Sequence, residues 1–274
     1  MPVRSESDFF SLPPPRAMGH RGSAGTHPEN TLVSFAAAAE AGVGYAELDV
    51  HMTRDGEIGV CHDDNLMRTC GRAGTIREMA YAEVATADAG AAFTLDGGAT
   101  HPFRGRGVTI PRLSEVLAAF PQLRFVIEIK QTSPSLVAPL LDVIDRAGMR
   151  RTVLIASEHQ EPLDEVRRLA PEIPTNFSYL EGGGFFQAMA ARDANYRPPG
   201  AALEIPPSYE SWQLVTPESV EFAHRIGVEV HVWTVNEESE MDRLLDLGVD
   251  GIISDNPRLL MAVLRRRAGK SFAD

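Results

Sequence analysis

The side chains best suited to chemistry lie in the first half of this chain. His20 and Arg21 stand together in "MGHRGSAGTHPENTLVSF", Glu47 and Asp49 in "GYAELDVHM", His62 in "EIGVCH", and Glu128 with Lys130 in "LRFVIEIK". Residues two apart on an extended strand project from one face, so Glu47 pairs with Asp49 and Glu128 with Lys130. Three carboxylates brought together repel one another and titrate abnormally unless a cation lies among them. Oxygen ligands alone select a hard divalent ion, Mg2+, Ca2+ or Mn2+, over zinc. Arg21 adds a planar fork for phosphate oxygens and Lys130 a second positive charge. Histidine is the side chain that exchanges protons near neutral pH, so His20 and His62 supply one group to take a proton and one to give it. A metal, an arginine and two histidines together describe phosphoryl transfer.

Those residues need a scaffold that gathers strand ends. Short β-like runs alternate with helical patterns almost to the C-terminus: "RAMGH", "GYAELDVHM", "EIGVCH", "LRFVIEIK", "RTVLIAS", "IPTNFSY", "AALEIP", "VEVHVWTV" and "DGIISD". The intervening helices follow ordinary start and stop grammar, as in "NTLVSFAAAAEAG", with Asn30 or Thr31 as cap and Gly42 past the end. Only "TRDG" separates the second run from the third, and Asp-Gly between β runs marks a hairpin. A parallel crossover needs a dozen residues or more, so these two runs are antiparallel. A turn centred on Arg54 and Asp55 sets His62 roughly opposite Glu47. Eight runs remain, most with a following helix, which predicts an α/β fold: a distorted (β/α)8 TIM barrel with an extra β-hairpin arm after strand 2. No G-x-G-x-x-G follows the first strand, which disfavours a doubly wound sheet. Residues 1–14 read as an N-terminal arm and 15–274 as one domain. Within it, 63–112 is an irregular region with one short helix, "IREMAYAEVATA".

The 274 residues carry a formal net charge of −12, which argues against a nucleic-acid partner. Any anion site must therefore be built from local positive charge. Cys61 and Cys70 make no disulfide framework, the N-terminus lacks an apolar core, and no apolar run approaches a bilayer's thickness. The expectation is a cytoplasmic protein with no stable membrane anchor and a small-molecule partner. Its oligomeric state is unspecified.

The series "HRG…PENT…ELDVHMTRDGEIGVCHDDNLMRT" resembles the signature of the glycerophosphodiester phosphodiesterase family, and "FVIEIK", "VHVWTVN" and "GVDGIISDNP" are similar to its later blocks. The resemblance implies a distorted TIM barrel that binds one divalent cation, Mg2+ or Ca2+ with Mn2+ as the third choice, and hydrolyses phosphodiesters of glycerol. It implies His20 and His62 as the acid/base pair and Glu47, Asp49 and Glu128 as metal ligands. It assigns the phosphate to Arg21 and Lys130 and the glycerol pocket to Trp233. Glu29 orients His20 or Arg21, or joins the metal's shell. Ser254 stands where the family more often has Thr.

Two other readings compete. A phospholipase C- or D-like enzyme acting on lysolipids calls for an exposed apolar or basic rim, and the sequence shows no clear one. A non-catalytic phosphate-binding barrel has no use for paired histidines. Elsewhere, His51 reads as structural and His231 as a core histidine. Glu204 touches either a glycerol hydroxyl or a helix or lid, Asp255-Asn256-Pro257 reads as a helix cap, and Cys61 points away from the metal.

Overall fold

The computed structural model describes residues 7–270, so residues 1–6 of the expected arm lie outside the description. The strands are β1 (Arg16–Gly19), β2 (Tyr45–Met52), β3 (Ile58–Val60), β4 (Arg124–Ile129), β5 (Val153–Ala156), β6 (Ala202–Ile205), β7 (Ser208–Tyr209), β8 (Trp212–Gln213), β9 (Glu229–Val232) and β10 (Gly251–Ser254). The helices among the described residues are α1 (Leu32–Ala41), α2 (Met67–Cys70), α3 (Tyr81–Val84), α4 (Leu113–Ala119), α5 (Val137–Arg146), α6 (Gln160–Leu169), α7 (Tyr179–Ala190), α8 (Pro217–Arg225), α9 (Glu238–Asp246) and α10 (Pro257–Lys270). None is long and apolar enough to cross a membrane.

Parallel strands run in the order β5-β4-β2-β1-β10-β9-β6, with β3 antiparallel on β2. Runs such as "VLIA" in β5 are buried on both faces, as strands between an inner core and an outer helical layer must be. The expected strand at "IPTNFSY" is reduced to single parallel bridges, Ile155 with Thr175 and Asn176 with Ala202. Pro174 has no N–H to give a ladder, and Ser178 already caps α7 by accepting from the Glu181 N–H. The two bridges still join β5 to β6 and close the ring. Gly200 permits that closure, because a Cβ there would meet the Asn176 carbonyl oxygen at 2.4 Å. The result is the distorted TIM barrel.

Inside the barrel, Met18, Tyr45, Val126, Leu154, Ala202 and Ile253 form a core with Phe9, whose carbonyl accepts from the Tyr45 hydroxyl at 2.6 Å. Two larger clusters lie between sheet and helices, around Leu48, Phe125 and Ile127 on one side and Leu203, Val230 and Ile252 on the other.

Two expectations in the second segment are corrected. The hairpin pairs Val50 with Val60 and Met52 with Ile58, so its loop spans residues 53–57 and is centred on Asp55. That register puts His62 level with Leu48 rather than Glu47. The stretch "IREMAYAEVATA" does not form one helix. A 3-10 turn at Ile76–Glu78 stops where Ala80 is extended, and α3 restarts with the Glu83 carboxylate accepting the Ala80 N–H. This segment has its own core, built from Leu66, Ile76, Val84, Val108 and Ile110 with Cys61 and Cys70.

Candidate active site

The loop from β1 to α1 is shaped by two successive left-handed residues, Arg21 at φ 48° and Gly22 at φ 88°. A Cβ on Gly22 would meet Ser34 Oγ at 2.5 Å, so only glycine lets the turn lie against α1. The turn aims the Arg21 N–H at Glu47 Oε2, 2.9 Å away. Thr31 is the helix cap, which leaves the Asn30 side chain free to turn inward, where its Nδ2 donates to Asp49 Oδ2 at 2.8 Å.

The structure brings Glu47, Asp49 and Glu128 together, one oxygen from each lying within 4.8 Å of the others. The register explains it, since Asp49 sits directly beside Glu128 across the β2–β4 ladder. Burial, reinforced by Asp49 and Glu128, pushes the Glu47 carboxyl well above its ordinary range. Burial also pushes Glu128 up to about 7, with Lys130 opposing and Asp49 adding to the shift. Lys130 Nζ lies 2.7 Å from Glu128 Oε1 and 3.3 Å from Asp49 Oδ1. Arg21 Nε is 3.3 Å from Asp49 Oδ2, yet its buried N–H finds no hydrogen-bond partner. An all-oxygen donor set with excess negative charge suits a hard divalent cation.

Both histidines are held at Nδ1 by a carboxylate: His20 by Asp255 at 2.6 Å and His62 by Asp63 at 2.7 Å. The His20 contact offsets burial and keeps Asp255 below its ordinary value, and hydrogen bonds led by Arg68 hold Asp63 at about 2. Ionised carboxylates only accept hydrogen bonds, so each Nδ1 carries the proton of its contact, and Nε2 is the ring nitrogen not engaged by that carboxylate. His20 Nε2 lies 3.9 Å from Glu47 Oε2. Glu29 accepts from Arg21 NH1 at 2.8 Å and from both terminal nitrogens of Arg68 at 2.7 Å, while Arg68 Nε reaches Asp63 at 2.8 Å. Glu29 thus links Arg21 to the His62–Asp63 pair through Arg68.

Sequence reasoning missed Asp255, Asp63 and Arg68. Asn256 does cap α10, through the Leu259 N–H, but Asp255 serves His20 instead. His51, read as structural, donates from its Nε2–H to the His62 carbonyl oxygen at 3.0 Å, since a carbonyl only accepts. His231 is fully buried between Glu204 at 3.3 Å and Glu229 at 3.0 Å, and those carboxylates overcome burial to push it up to about 9. Glu204 therefore leans on His231, not on a helix or lid. Cys61 is buried in the cluster of the irregular segment, and burial pushes its thiol up.

His20, Arg21, Glu47, His62, Glu128 and Lys130 line a cavity of about 520 Å³. Phe177, Phe186, Leu203, Leu214 and Trp233 are also in its wall, together with Glu204 and Asn176. An apolar rim, not expected from the sequence, lies beside it: Tyr179, Leu180, Tyr209 and Trp212 are 51–73% exposed.

A closed α/β barrel with acids, bases and cations at the C-terminal ends of its strands is an enzyme architecture. The glycerophosphoryl diester phosphodiesterase family matches residues 20–259, and the chain belongs to that family. It is 31% identical to the glycerophosphodiester phosphodiesterase of Caldanaerobacter subterraneus subsp. tengcongensis, over 91% of this chain and 97% of that one. It is 30% identical to the Bacillus subtilis enzyme of the same name, over 96% and 91%. Among solved structures, the Oleispira antarctica phosphodiesterase in complex with the product sn-glycerol-3-phosphate superposes with a TM-score of 0.76 at 26% identity, covering 93% of this chain and 98% of the other.

Proposed function

We propose that the protein hydrolyses glycerophosphodiesters to glycerol 3-phosphate and an alcohol with one divalent cation, Mg2+ or Ca2+, in the cytoplasm. The observation that carries this reading is the meeting of Glu47, Asp49 and Glu128 oxygens within 4.8 Å, on the same cavity as His20 and His62. These three carboxylates would hold the ion. When bound, it would supply Lewis-acid stabilisation of phosphoryl oxygens.

The remaining steps fall to the chain's own side chains. Arg21 and Lys130 bind the phosphate and stabilise charge that grows on its oxygens. One of His20 and His62 accepts a proton at Nε2 from the nucleophile, and the other donates one from Nε2 to the departing alkoxide. Asp255 and Asp63 fix the rings in the tautomer that allows both transfers, and they stabilise each imidazolium as it forms. The nucleophile is water, or the glycerol 2-hydroxyl with water opening a cyclic phosphate afterwards. Glu29 positions Arg21, and Trp233 lines the glycerol side of the cavity.

The test is incubation with glycerophosphocholine and Mg2+ or Ca2+, coupled to detection of glycerol 3-phosphate. Product formation that His20→Ala and His62→Ala abolish supports the reading. Tight binding of the diester without turnover would replace it with a phosphate-binding barrel.

A further inference from the structure

The irregular segment after β3 is anchored by its own core, and that anchor aims one cation. Leu66 and Cys70 are one helical turn apart across α2, and both are buried in that core. Gly71, left-handed at φ 63°, donates to the Met67 carbonyl oxygen and ends the turn. Arg68 lies between the two buried residues, and its side chain is half-exposed. It meets two carboxylates there. With one edge, Nε at 2.8 Å and a terminal nitrogen at 3.0 Å, it holds both oxygens of Asp63. With another, both terminal nitrogens at 2.7 Å, it holds both oxygens of Glu29. Only a guanidinium has donors on two edges of one rigid plane.

Each carboxylate passes the constraint on. Asp63 Oδ1 also accepts from His62 Nδ1 at 2.7 Å, and Glu29 Oε1 also accepts from Arg21 NH1 at 2.8 Å. Burial opposes the charge on Glu29, yet Arg68 and Arg21 keep it below its ordinary value, so it stays an acceptor. His62 and Arg21 come from separate loops. One follows β3, which pairs with β2 off the ring, and the other follows β1. Among the described residues, the cavity wall includes His62 and Arg21 but not Arg68, Asp63 or Glu29. Arg68 therefore reaches the reaction through its neighbours.

We propose that Arg68 is a positioning residue for the hydrolysis: by gripping Asp63 and Glu29 together, it fixes the His62 ring and the Arg21 fork relative to each other. This rests on the phosphodiesterase reading and adds the part that ties its proton-transfer group to its phosphate-binding group. A displacement of about 1 Å at such groups can cost about a hundredfold in rate, so the cross-tie carries kinetic weight without touching substrate. Lysine offers a point charge in place of the two-edged fork and cannot hold both carboxylates in one plane.

The experiment is steady-state kinetics on glycerophosphocholine with Mg2+ or Ca2+, beside melting curves, for wild type, Arg68→Gln, Arg68→Lys and a background variant carrying both Asp63→Asn and Glu29→Gln. Arg68→Gln is expected to lower kcat about tenfold or more, and Arg68→Lys to remain about threefold or more below wild type. In the background variant, whose two carboxylates are already neutral, adding Arg68→Gln should change kcat/KM by no more than about twofold. Arg68→Gln with a lowered melting temperature but wild-type kcat and KM would make Arg68 a structural tie alone and overturn the proposal. So would wild-type kinetics in Arg68→Lys, or a full tenfold loss in the background variant, which would mean that Arg68 acts on substrate directly. Any of these leaves the phosphodiesterase reading standing. If wild type itself forms no glycerol 3-phosphate, both fall together.

Discussion

His20 and Asp255 are 235 residues apart in the chain and 2.6 Å apart at the mouth of the barrel. The contact exists because β1 and β10 are neighbours, pairing Gly19 with Ser254, so the residue following each strand emerges beside the other. Asn236 Nδ2 holds the second Asp255 oxygen at 2.6 Å. The carboxylate is thus fixed from two sides and the His20 ring from one.

Asp255→Asn keeps the shape but lets the ring adopt the wrong tautomer. Turnover should fall about a hundredfold or more, with the acid limb of the pH profile displaced and thermal stability nearly unchanged. Steady-state kinetics across pH, set beside a melting curve, measures both. Wild-type kinetics would show that Asp255 is only structural.

Replacement of His20 or His62 by Ala should each lower kcat by about a hundredfold or more, and the double variant should lose far less than the product of the two. Independent, multiplying losses would mean that the two rings do not serve one reaction.

His231 carries a pH signature of stability. Its folded value, pushed up to about 9, lies above the ordinary 6.5, so the stabilisation is fully present below 6.5 and is lost as pH rises through about 9. The loss between those limits is about 3 kcal/mol, and His231→Gln should flatten it. Urea unfolding at pH 6 and pH 10 reads the difference.

Gly251 makes room for that histidine. A Cβ there would stand 2.9 Å from both His231 Cδ2 and Met18 Cε. Gly251→Ala should cost about 1–3 kcal/mol of stability through overpacking. Denaturant midpoints for the variant and wild type give the value.

Much of the site was legible because its logic is local. Alternation along β2 and β4 shows Glu47 with Asp49 and Glu128 with Lys130, and the Asp-Gly turn shows the hairpin that carries His62. What escaped depends on closure and on irregular backbone. Asp255 acquires its role only when the last strand returns to the first, a pairing with no signature in either segment. Asp63 follows His62 after β3 has ended, where alternation no longer says which way a side chain points. Arg68 sits on a four-residue helix in the segment whose pattern was weakest. At "IPTNFSY" the β-like composition outweighed the Ser178 cap that turns the chain into α7. The apolar rim stayed hidden because Tyr209 and Trp212 lie in strands of two residues, too short for periodicity to register.

The metal centre is tested most directly by calorimetric titration of Mg2+ and Ca2+ into protein stripped with EDTA, with Glu47→Gln and Asp49→Asn alongside. One ion per chain, with affinity lost in both variants and activity restored on re-addition, is the expected result. An unchanged binding isotherm in the variants, or full turnover in excess chelator, would contradict a shared cation held by Glu47, Asp49 and Glu128.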